Sequence, residues 1–134
     1  MTTWGQIRGW LRERFALLRD EDGWCGWGVT LPGGALPVVA KRSGSDARPE
    51  VLLAARVSDR GAIDPVDALR YNATAEVGAL VLEDEAYLLR LLIPVAALDA
   101  AELGAIVGRL IAEAARIRPP QRATVAANLS HWVE

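Results

Sequence analysis

Gly78-Ala79-Leu80-Val81-Leu82-Glu83-Asp84-Glu85-Ala86-Tyr87-Leu88-Leu89-Arg90-Leu91-Leu92-Ile93, with Leu98-Asp99-Ala100-Ala101-Glu102-Leu103 just beyond it, is the stretch on which the fold turns. Two apolar runs of strand length, Gly78 to Glu83 and Tyr87 to Ile93, are separated by an acidic turn around Asp84 and Glu85. A turn that short joins antiparallel neighbours, because a parallel crossover needs a dozen residues or more. The period then changes. Asp99 and Glu102 stand in the relation of a capping box, with a carboxylate in place of the usual hydroxyl, and Leu98 and Leu103 are spaced for a hydrophobic staple. Leu103, Ile106, Val107, Leu110, Ile111, Ala114 and Ile117 continue as one broad apolar face, and Pro119-Pro120 stops the helix.

Working towards the N-terminus, Asp64-Pro65 has the form of an N-cap followed by proline at the first helical position. Val66, Leu69 and Ala73 supply the apolar stripe of a short helix, closed by Gly78 just beyond its end. Upstream, Val51, Leu53, Ala55 and Val57 alternate along a strand, preceded by a polar loop from Arg42 to Pro49. A hairpin comes before that: Cys25, Trp27, Val29 and Leu31 alternate, Pro32-Gly33-Gly34 turns the chain, and Leu36 to Lys41 returns. At the start, Trp4, Ile7, Leu11, Phe15 and Leu18 recur at spacings of three and four, which predicts a helix from Thr3 to Leu18 capped by Thr2 or Thr3. Beyond the diproline, Val125, Leu129 and Trp132 have the spacing of a short terminal helix.

The expected order is α-β-β-β-α-β-β-α, with one further helix at the C-terminal end. The fold class is α+β: a twisted antiparallel sheet of about five strands with helices on one face. At 134 residues without a composition break, a single domain over 1–134 is expected.

Composition narrows the function. Apolar residues make up 51% and charged residues 24%, enough for a core and a soluble surface. A net charge of −2 and a pI near 5.5 argue against a nucleic-acid partner. Of fifteen basic residues only Lys41 is Lys, and with the abundant Ala this suggests a GC-rich bacterial genome. A lone Cys25 forms no internal disulfide, the N-terminal segment lacks a signal-peptide core, and the longest apolar runs fall short of the about 20 residues of a span. The expectation is a cytoplasmic protein with no membrane partner.

Chemistry-bearing motifs are sparse. His131 is the single histidine and is read as a surface group rather than a base. Cys25 falls on the apolar side of its strand, as a small buried hydrophobe would. No Cys/His spacing fits a metal, and Asp20-Glu21-Asp22 lacks the alternation of a calcium loop. Gly23, Gly26 and Gly28 precede no helix that would hold a phosphate, so close packing around Trp24 and Trp27 is the better reading. Gly104-x-x-x-Gly108 is expected to let the long helix approach the sheet. No catalytic residue, cofactor or metal is expected.

The order of elements, together with Ala68-Leu69-Arg70-Tyr71-Asn72, Gly78-Ala79-Leu80-Val81-Leu82, Leu91-Leu92-Ile93-Pro94 and the helix opened by Leu98-Asp99, resembles the YbjN and type III secretion chaperone-like (CesT-type) superfamily. The likeness runs from about Trp4 to Ile117. It implies a non-enzymatic homodimer that holds an extended segment of a client protein. It also implies a dimer contact through the second helix and the strand after it, with Leu69, Tyr71 and Val81 as candidates. An inhibitory or immunity-type regulator of one target is the alternative role, and a small-molecule binder using the open face of the sheet is the third.

Five tryptophans are many for this length, and aromatics are enriched where proteins meet. Trp10 and Leu17 lie seven apart beside the main stripe of the first helix, Arg8, Arg12 and Arg19 cluster on it, and Trp24 opens the first strand. Arg8, Trp10, Arg12, Leu17 and Trp24 are therefore the expected partner site.

Overall fold

The computed structural model describes residues 1 and 3–120. The elements run α1 (Trp4–Arg14), β1 (Leu17–Glu21), β2 (Trp24–Val29), β3 (Leu36–Gly44), β4 (Pro49–Asp59), α2 (Pro65–Thr74), β5 (Ala79–Glu83), β6 (Ala86–Pro94) and α3 (Ala100–Ile117). All strand pairs are antiparallel, in the spatial order β1-β2-β3-β4-β6-β5. The class is α+β, and the sheet has six strands rather than five. The expected helix at Val125 to Trp132, with His131, lies outside the described residues, as does Thr2.

The extra strand comes from the first helix, which ends four residues earlier than its apolar spacing predicts. Phe15 is already extended, at φ −130° and ψ 146°, so Leu17 and Leu18 belong to β1. Leu17 pairs with Trp27 and Arg19 with Gly26, which leaves Leu18 as a one-residue bulge. Arg42 to Gly44, expected in a loop, extend β3 instead.

Several local signals hold. Thr3 and Gln6 form a complete capping box on α1. Asp64 accepts from the Val66 amide and Asp99 from the Glu102 amide, each carboxylate satisfying an otherwise orphaned donor. Gly78 sits at φ 67°, where a Cβ would stand 2.6 Å from the Arg90 carbonyl oxygen, so only glycine fits between α2 and β5.

Strand alternation divides the sheet into two unlike faces. Cys25, Trp27, Val38, Ala40, Val51, Leu53, Ala55 and Leu89 point into one core, which also takes Ile7 and Leu11 of α1, Ala68 of α2, and Leu103, Val107, Leu110 and Ala114 of α3. The three α-helices of the described residues thus feed the same face. A second, small cluster of Ala54, Ala86 and Leu88, with Val81 against it, contains strand residues alone. Among the described residues no helix packs on this face, which is thus the uncovered one.

Aromatic packing joins α1 to the sheet. Phe15 stacks on Trp27 with centroids 4.6 Å apart, and Trp10 meets Phe15 edge-on at 6.1 Å. Gly104 makes room for this: a Cβ there would lie 3.4 Å from Cζ2 of Trp10, so the glycine of α3 serves α1 rather than the sheet. Past the end of α3, Arg118 donates to the carbonyls of Pro32, Gly34 and Ala35, tying the helix to the β2–β3 turn.

Candidate functional site

The five residues expected to form a partner site are not brought together. Trp10 is buried in the α1–α3 contact and is a core residue, because Gly104 and Phe15 leave it a fitted slot. Arg8 and Arg12 both grip Asp20 of β1, at 2.7 and 2.5 Å, and Arg8 also reaches Asp22 at 3.9 Å, so the two cations are engaged by two carboxylates within the fold. Arg12 and then Arg8 hold the Asp20 carboxyl below its ordinary range. Leu17 lies on β1, half-buried, and not on the helix. Arg19 is likewise on β1 rather than α1. Trp24 faces the opposite side of the sheet from α1, since its neighbour Cys25 is the one in the helical core.

The reactive groups are quiet. Cys25 is fully buried, and burial, then the nearby Asp20 carboxylate, push its thiol up to about 11. The Gly23 to Gly28 run occupies the β1–β2 turn and β2 itself, with no helix N-terminus following. A depression between the start of α1 and the β3–β4 loop exists, yet the first turn of α1 is already capped by Thr3 and Gln6.

The sheet offers three surfaces where a protein could bind: its two edges and the uncovered face. The β5 edge is stopped. Asn72 of α2 donates to the Leu80 carbonyl at 2.9 Å and accepts from the Leu80 amide at 2.7 Å, occupying the outward-facing backbone groups in mid-strand. The β1 edge is short, bulged at Leu18 and charged at Arg19, Asp20 and Glu21. Both devices discourage strand addition.

The uncovered face carries a basin of about 530 Å³ in the middle of the sheet. Its lining is half-buried Leu52 above Val39, Ala54 and Leu88, which are themselves buried, and Trp24 forms a wall. Cross-strand register builds it: Trp24 opposes Lys41, Lys41 opposes Leu52, Val39 opposes Ala54, and Ala54 opposes Arg90. Trp24 is held in place, its indole N–H donating to Glu21 at 2.9 Å and the Arg19 guanidinium lying over its ring. Leu92, half-exposed, extends the apolar floor beyond Leu52.

A second apolar surface lies on α2. Its stripe of Val66, Leu69 and Ala73 faces solvent; Val66 is 53% and Leu69 71% exposed. Ala68 is the residue α2 buries, and half-buried Tyr71 packs against the core beside it. Burial raises the Tyr71 hydroxyl, with Glu113 of α3 adding to the effect. Val81 points to the uncovered face. Leu69, Tyr71 and Val81 therefore do not share one patch, whereas Val66 and Leu69 do. Among the described residues, no helix is long and apolar enough to cross a membrane.

No protein-family model, curated protein or solved structure matches the chain.

Proposed function

We propose that the chain is a non-catalytic, chaperone-like module that holds or regulates a client protein on the uncovered face of its sheet, as a homodimer. One observation carries the reading: among the described residues no helix packs over the apolar basin, while the bulged, charged β1 edge and the Asn72–Leu80 pair on β5 discourage strand addition. Aliphatic floor plus a fixed indole wall is the make-up of a site for apolar side chains. The buried, raised thiol of Cys25 and the neutralised Asp20 support a binding rather than a chemical role. The solvent-facing Val66 and Leu69 supply a self-complementary patch for a second copy. The same geometry serves a chaperone or an inhibitor of one target, since both bind without turnover.

Affinity purification from the source cells tests the reading, with partners identified by mass spectrometry. A discrete partner should co-purify with the wild type and with Ala105→Asp on the exposed side of α3. It should be lost from Leu52→Asp/Leu92→Asp. Retention by the double variant at wild-type level would overturn the assignment of the face.

A further inference from the structure

We infer that the client segment seated in the basin is acidic as well as apolar, with one of its carboxylates held between Lys41 and Arg90; this rests on the client-binding reading above. Lys41 stands beside Leu52 from β3, and Arg90 beside Ala54 from β6, so the two cations flank β4 from opposite sides. Their backbones are two strand spacings and two residues of register apart, roughly 12 Å, a gap that two long side chains can span to meet on one anion. Both are exposed, and among the described residues neither has a carboxylate partner.

The contrast within the same face is informative. Arg19 is neutralised by Glu21 and Arg56 by Asp59, yet the cations bordering the apolar floor are left open. Arg42, opposite Val51, turns to the helical side, so Lys41 and Arg90 are the lining's two cations on this side and Glu83 is its one carboxylate, in a chain whose net charge is −2. The lining of the apolar basin thus carries a surplus of one positive charge. Like charges flanking an apolar floor repel each other, and an anion placed between them relieves that repulsion while its apolar neighbours cover the floor. A nucleic acid would need a longer track of cations and more stacking surface than one tryptophan offers.

Fluorescence anisotropy on the full chain tests this with labelled peptides of about ten residues alternating Leu with Glu, Leu with Ser, or Leu with Lys, and a single-stranded oligothymidylate of matching length. The Leu/Glu peptide should bind at least about tenfold more tightly than the Leu/Ser peptide, and the advantage should shrink as salt is raised. Lys41→Glu/Arg90→Glu, at exposed positions, should keep the wild-type melting temperature, lose that advantage and turn to the Leu/Lys peptide. Equal binding of the Leu/Glu and Leu/Ser peptides, both abolished by Leu52→Asp/Leu92→Asp, would overturn the acidic preference and leave the client-binding reading standing. Tighter binding of the oligothymidylate would overturn the acidic-peptide assignment. Binding of no peptide at all would count against both readings.

Discussion

Asn72 and Leu80 exchange two hydrogen bonds, the side-chain amide of a helix residue taking the place of a neighbouring strand. The pair does two jobs: it fixes α2 alongside β5, and it closes the sheet edge. Asn72→Ala removes both partners from half-buried backbone groups, which should cost about 1–3 kcal/mol in urea unfolding. The freed β5 edge should also raise the rate of aggregation, followed by light scattering. An unchanged midpoint and unchanged aggregation would show that the edge is closed by something else.

Trp10→Ala should act on stability. Removing a buried indole from between Gly104 and Phe15 leaves a cavity, and such a change costs about 3–5 kcal/mol. The folded fraction should bind any client with unchanged affinity. A variant of wild-type stability and reduced binding would restore Trp10 to the surface.

Leu69→Asp and Val66→Asp place a charge on side chains that are already exposed, so the melting temperature should stay within a few degrees. Sedimentation at micromolar concentration should give a dimer for the wild type and a monomer for the double variant. A wild-type monomer would remove α2 as a dimer surface.

Cys25 should resist alkylation in the native state and react on unfolding. Its thiol is raised from an ordinary value near 9 to about 11. The sign follows: the unfolded chain releases this proton first, so the contribution is fully present below pH 9 and is lost as pH rises towards 11. Cys25→Ala should flatten the alkaline limb of the stability profile. An identical limb in the variant would place its origin elsewhere.

Legibility in the sequence followed local chemistry. The caps at Asp64 and Asp99, the glycine at 78 and the face of α3 are written in neighbouring residues and stand as read. The β1 strand was hidden because Leu18 happens to complete the helical spacing of Trp4, Ile7, Leu11 and Phe15, and because a charged edge strand lacks apolar alternation. The five expected partner-site residues are dispersed for a different reason. Trp10 and Trp24 are chemically alike, and one is buried and the other on the uncovered face only through tertiary packing. The outward turn of Val66 and Leu69 is equally invisible to periodicity, which finds a stripe and not what the stripe faces. The basin joins residues from β2, β3, β4, β5 and β6, and only strand register assembles it.

The most direct measurement of the central claim is photo-cross-linking from two single positions in the source cells. A photoreactive amino acid at position 52 lies on the floor of the basin, and one at position 105 lies on the exposed side of α3. The account predicts one discrete adduct from position 52, identified by mass spectrometry as a protein other than this chain, and none from position 105. No adduct at position 52, or the same adduct from both positions, would contradict it.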